Sequence, residues 1–133
     1  MSKQILVVDD DELVLVALVE LLSPKGYRVS TALGGPQALE KIEKDRFDLL
    51  ILDIIMPQMD GYQLCQRIRA MERYSEIPII MLTAKSGEED KERGLEAGAN
   101  LFLPKPISPQ RLLEMIESTI EKGQSEVSRQ ESE

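Results

Sequence analysis

The chain has 133 residues, enough for one domain of ordinary size and too few for a two-domain enzyme. Its 16 Lys and Arg against 24 Asp and Glu give a net charge of −8, the wrong sign for gripping a nucleic-acid backbone directly. It holds no His, which excludes His-ligated zinc, serine–histidine–aspartate chemistry and imidazole acid–base catalysis. One cysteine, Cys65, cannot form an internal disulfide, and no apolar run approaches the roughly 18–20 residues of a membrane span. The amino-terminal residues show no export signal, so the expected location is the cytoplasm, without membrane contact.

Short apolar runs alternate with segments of helical periodicity, five times over. The predicted strands are Ile5–Val8, Tyr27–Ala32, Leu49–Leu52, Pro78–Leu82 and Leu101–Leu103. The first, third and fourth are apolar throughout, as suits burial on both faces of a parallel sheet. The second alternates polar with apolar and reads as an edge. Helices are predicted to start near Glu12, Pro36, Gly61, Gly87 and Pro109. Ser108 before Pro109 is an N-cap followed by proline at a position with no N–H to lose. Ser86 and Glu89 have the spacing of a capping box, while Gly26 and Gly98 suit helix stops with positive φ. Past Lys122 one apolar residue stands in a run of Ser, Gln and Glu, so a domain of residues 1–122 and a disordered tail or linker of residues 123–133 are expected. This order defines an α/β fold, a five-stranded parallel sheet between two helical layers with right-handed crossovers.

Ligands of such sheets bind beyond the carboxyl ends of the strands. There the first strand ends in Asp9 and Asp10, the third in Asp53, the fourth in Thr83, and the fifth leads to Lys105. Three carboxylates converging in a partly dehydrated cleft repel one another unless a cation joins them, and a hard divalent cation such as Mg²⁺, with Mn²⁺ as a substitute, resolves the repulsion. Carboxylates, metal, hydroxyl and ammonium together suit phosphoryl transfer, with Asp53 as the nucleophile that becomes an aspartyl phosphate.

The motifs Val7-Val8-Asp9-Asp10, Leu52-Asp53-Ile54-Ile55-Met56-Pro57-Gln58-Met59-Asp60-Gly61, Leu82-Thr83-Ala84 and Phe102-Leu103-Pro104-Lys105-Pro106 occur in one order over roughly residues 3–122. In them the chain resembles the receiver domains of bacterial two-component response regulators. The resemblance implies a flavodoxin-like (βα)5 sandwich with strand order 2-1-3-4-5 and phosphorylation of Asp53 by a sensor histidine kinase or histidine phosphotransfer protein. It implies Mg²⁺ held by Asp10, Asp53 and the backbone carbonyl of Ile55, with Asp9 assisting through water. It further implies Thr83 and Lys105 as phosphoryl-binding residues, Phe102 as an aromatic switch, and a cis peptide between Lys105 and Pro106. A magnesium phosphohydrolase of the haloacid dehalogenase type is the competing reading; it needs an acid two residues after the nucleophile, where this chain has Ile55. A binding module without chemistry would have lost an acidic, Thr or Lys position, and none is lost.

Two segments add to the family pattern. The first helix carries seven consecutive apolar residues, Leu13 to Val19. Val14, Ala17, Leu18, Leu21 and Leu22 are expected to face the core, leaving Leu15, Val16 and Val19 exposed as a docking patch for the phosphodonor. The fourth helix has only Leu95 and Ala97 as clear apolar residues, so it is expected to be weakly held and to move with Thr83 and Phe102 on phosphorylation. Cys65 shares a helical face with Leu64, Ile68 and Met71 and is expected to be a buried, inert thiol, while Met56 and Met59 fill space beside the Asp53 loop or join a partner surface. The output is read as a surface of the fourth helix, fifth strand and fifth helix. It acts on an effector protein, on an output domain beyond the tail, or through a phosphorylation-dependent homodimer.

Overall fold

A computed structural model of the chain describes residues 2–132, with side chains described through Lys122. Five strands, β1 (Gln4–Val8), β2 (Arg28–Ala32), β3 (Leu49–Leu52), β4 (Ile79–Thr83) and β5 (Leu101–Pro104), form one parallel sheet in the order β2-β1-β3-β4-β5. Between and after them lie α1 (Glu12–Leu22), α2 (Gly35–Lys44), α3 (Gly61–Arg69), α4 (Glu88–Ala97) and α5 (Pro109–Ser132). The strand order and the flavodoxin-like layering match the sequence-based expectation. The tail expected past Lys122 lies outside the described side chains.

The period-2 geometry of the strands sorts their side chains into two cores. Ile5, Val7, Leu49, Ile51, Ile80, Leu82 and Leu103 point to α1 and α5, where they meet Leu15, Leu18, Leu22, Leu112 and Ile116. Leu6, Val8, Leu50, Leu52, Ile79, Met81 and Phe102 point the other way, toward Ala38, Ile42, Leu64, Cys65, Ile68 and Ala97 of α2, α3 and α4. The three central strands need both faces apolar because both are covered.

Two local expectations are corrected. In α1 the buried residues are Leu15, Leu18 and Leu22, while Ala17 is exposed and Val19 half-buried. Of the patch Leu15, Val16 and Val19, only Val16, 54% exposed, lies open, and Leu13 at 80% replaces Leu15 as its partner. In an unbroken apolar run the helical wheel offers several equivalent faces, and the position of the sheet chooses among them. In α4 the cap stands one residue later than expected: Gly87 is the N-cap, and Asp90, not Glu89, reaches back to accept from Gly87 N at 3.2 Å. Other ends follow expectation, with Ser108 Oγ accepting from Arg111 N at 3.2 Å and Gly98 closing α4 at φ +115°.

Candidate functional site

The site forms where the sheet register brings strand ends level. Val8 pairs with Leu52, so the next residues, Asp9 and Asp53, leave adjacent strands side by side. Their backbones are fixed as the ladder ends, Asp53 N donating to Val8 O at 3.0 Å and Asp9 N to Ala32 O at 3.1 Å. Asp9 and Asp53 are buried and Asp10 is exposed, and carboxylate oxygens of all three lie within 4.8 Å of one another. From the far side of the sheet Lys105 places Nζ 2.6 Å from Asp9 Oδ2 and 3.2 Å from Asp53 Oδ2. The Lys105–Pro106 peptide is cis.

Three carboxylates against one ammonium leave the cleft negative. Burial pushes the Asp9 carboxyl above its ordinary range and the Asp53 charge adds to this, while hydrogen bonds from Lys105 and from Asp11 N–H oppose it. Burial alone would pull the Lys105 ammonium down, but the hydrogen bond to Asp9 and the charges of both carboxylates outweigh it and hold it above its usual value. Oxygen donors in this number suit a hard divalent cation. Asp11 caps α1 by accepting from Leu13 N at 2.9 Å.

The loop after Asp53 is pinned at both ends. Asp53 Oδ1 accepts from Ile54 N at 2.7 Å, and Ile54 O accepts from Gly61 N at 2.8 Å. A Cβ on Gly61 would lie 2.2 Å from Asp53 O, so only glycine lets α3 begin against the acceptor's backbone. Asp60 caps α3, its Oδ1 accepting from Gln63 N at 2.8 Å, and Gln63 Oε1 accepts in turn from Asp60 N at 3.0 Å. Within the loop Gln58 adopts φ +70°, Met56 and Met59 pack inward, and the Ile55 side chain stands 58% exposed.

Thr83 ends β4, fully buried, its Oγ1 accepting from Lys85 N at 3.2 Å. Phe102 does not abut the carboxylates. It is buried under α4, where a Cβ on Gly94 would come within 2.9 Å of both Phe102 Cδ2 and Met81 Sδ. Asp9, Asp10, Asp53 and Lys105 are thus brought together, with Thr83 on the next strand end and Phe102 one layer below. Cys65 is buried as expected, its Sγ donating to Ala97 O at 3.4 Å.

Sequence reasoning missed the residues that tie α4 down. Tyr62, 3% exposed, donates its hydroxyl to Asp90 O at 3.2 Å. Arg69 donates to the Gly98 and Tyr74 carbonyls and, at 2.9 Å, to Asn100 Oδ1, which also accepts from Ile79 N at 2.8 Å. No local pattern marks such long-range partners.

A parallel α/β sheet carrying an acidic cleft, a half-buried lysine and a strand-end threonine beyond its carboxyl edge is the arrangement of a class of signalling domain. The chain belongs to the response regulator receiver domain family, whose model matches residues 5–117. It is 40% identical over 124 residues, 93% of its length, to the alkaline phosphatase synthesis transcriptional regulatory protein PhoP of Bacillus subtilis, of which it covers 51%. The chain therefore spans about half the length of the curated relatives it matches. Among solved structures, the receiver domain of sensor histidine kinase PA1611 from Pseudomonas aeruginosa PAO1 superimposes with a TM-score of 0.83 at 34% identity, covering 90% of this chain and 98% of that one. That structure is described with a magnesium ion coordinated in its active-site cleft. The DrrB receiver domain, described as BeF3-activated, is 35% identical with a TM-score of 0.83, covering 91% of this chain and 99% of that one.

Proposed function

We propose that the chain is a phospho-accepting switch in which Asp53 takes a phosphoryl group from a histidine kinase or histidine phosphotransfer protein. The observation that carries the reading is Lys105 Nζ lying 3.2 Å from a buried Asp53 carboxylate that stands in a cluster of three. An Asp53 oxygen bonds phosphorus as the bond from phosphorus to the donor breaks, the electron pair leaving with the donor. Lys105 neutralises charge on the phosphoryl oxygens, and the Thr83 hydroxyl leaves Lys85 N–H to donate to one of them. Asp10, Asp53 and the Ile55 carbonyl, with Asp9, would hold Mg²⁺, which supplies charge neutralisation between the carboxylates and the incoming group. The competing phosphohydrolase reading lacks its second acid, since Ile55 offers only an apolar side chain.

Leu13 and Val16 on α1 and Ile55 in the loop after Asp53 are exposed apolar side chains, and they are the surface this reading offers to the phosphodonor. The surface of α4, β5 and α5 carries the output, to an effector protein or an output domain such as a regulator twice this length would contain. The moving parts are Thr83, Phe102 and α4, whose own buried residues are only Gly94 and Ala97. Among the described residues no helix is long and apolar enough to cross a membrane.

The test is incubation with acetyl phosphate, with and without Mg²⁺, read on a phosphate-affinity gel beside Asp53→Asn. A magnesium-dependent shift absent from Asp53→Asn is expected. A shift that survives the substitution would overturn the assignment of the acceptor; no shift with either acetyl phosphate or a kinase donor would overturn the chemistry.

A further inference from the structure

The first half of α4 has almost no apolar hold on the domain. Residues 84–89 are exposed, and the helix's buried positions, Gly94 and Ala97, are small and lie in its second half. What reaches its first turn is polar and comes from α3. The Tyr62 hydroxyl lies 3.2 Å from Asp90 O and 3.4 Å from Asp90 Oδ1, while Arg93 stacks on the same ring at 4.3 Å. Asp90 Oδ2 accepts from Gly87 N at 3.2 Å, and Asp90 Oδ1 lies 3.6 Å from Lys85 Nζ. Lys85 N in turn donates to Thr83 Oγ1. One run of contacts therefore joins the buried hydroxyl at the end of β4 to a buried tyrosine on α3 through the α4 N-terminus.

We propose that Tyr62 is a latch for the resting position of α4, and that its hydroxyl bond to Asp90 opposes the rearrangement that follows phosphorylation. The inference rests on the phosphoacceptor reading for its second half only. When the Thr83 hydroxyl turns to a phosphoryl oxygen, Lys85 N–H loses its acceptor and the short segment from Ala84 to Gly87 must reorganise. That segment ends on the Asp90 cap, so α4 cannot follow while Tyr62 holds Asp90. The latch thus sets how much of the phosphoryl group's binding energy is spent on moving the output surface. The ring also fills the core, but burial alone does not require a hydroxyl, and the hydroxyl is the part aimed at α4.

The experiment compares Tyr62→Phe with the wild type, using Tyr74→Phe as a control. Tyr74 also loses a hydroxyl bound to main chain, here Ile42 O at 3.1 Å and Asp45 O at 2.8 Å, but it faces α2. In ligand-free protein, hydrogen exchange of the Glu88–Ala97 amides should rise roughly two- to tenfold in Tyr62→Phe, the worth of one hydrogen bond, with β1, β3 and β4 unchanged. Tyr74→Phe should produce no selective change in α4. With Mg²⁺ and beryllium fluoride as the phosphoryl mimic, Tyr62→Phe should bind the mimic more tightly by a similar factor. Unchanged α4 exchange in Tyr62→Phe would overturn the latch. Faster α4 exchange with unchanged or weaker mimic affinity would overturn its opposition to switching. Wild-type protein indifferent to the mimic would instead overturn the phosphoacceptor reading, with the exchange arm still deciding the latch.

Discussion

Lys105 Nζ stands closer to Asp9 Oδ2, at 2.6 Å, than to Asp53 Oδ2, at 3.2 Å, although Asp53 is the proposed acceptor. The ammonium therefore occupies part of the electrostatic role that a divalent cation would fill, and the two cations compete for the same carboxylates. Replacing Lys105 by Ala should tighten Mg²⁺ binding by roughly three- to tenfold, about one charge–charge interaction at a partly exposed site. Isothermal titration of Mg²⁺ into the two proteins checks this, and weaker binding to Lys105→Ala would show that the lysine instead organises the site for the metal.

Gly61 meets the acceptor's own backbone, with no flexible side chain between them to give way. Gly61→Ala should destabilise the domain by about 1–3 kcal/mol, the usual penalty for overpacking. The strain falls on Asp53 and Ile54, so acetyl phosphate labelling should slow even at temperatures where the variant is fully folded. Urea denaturation and labelling rates measure the two effects separately.

The corrected α1 face makes a contrast between neighbouring residues. Leu15→Ala empties a buried site and should lose about 2–5 kcal/mol, whereas Val16→Ser and Leu13→Ser, on exposed positions, should stay within about 0.5 kcal/mol of wild type. If the exposed pair forms the donor's docking rim, Leu13→Ser with Val16→Ser should slow transfer from a cognate kinase and leave acetyl phosphate labelling intact. Equal rates from both donors would remove α1 from the docking face.

Burial pushes the Cys65 thiol from 9.0 up to about 11, with the nearby Arg69 charge opposing the rise. The folded state thus favours the protonated thiol more than the unfolded chain does. That contribution to stability is complete below pH 9.0 and is lost as pH rises toward about 11. Iodoacetamide at pH 8 should modify Cys65 only as fast as the domain opens. Cys65→Ala should lessen the alkaline loss of stability between those two values, as thermal melts at pH 8 and pH 10.5 would show.

Much of this protein is written locally. Alternation of apolar runs with helical spacing located all five strands to within a residue or so, most simply for the three central ones, which are covered on both faces and have no polar position to blur their limits. Asp9, Asp10, Asp53, Thr83 and Lys105 were legible because each closes or follows a strand, and the rule that ligands bind beyond the carboxyl ends of a parallel sheet turns strand ends into a site. The tertiary structure decided what depends on a partner distant in sequence. Leu15 rather than Ala17 is buried because seven successive apolar residues leave the wheel degenerate until the sheet selects a face. Asp90 rather than Glu89 completes the α4 cap, in a position where Tyr62 and Lys85 also hold it. Phe102 lies beneath α4 because Gly94, eight positions earlier in sequence and on another element, leaves room for its ring. A residue's periodicity states how many faces it has to choose from, and only the packing of the remaining chain selects one.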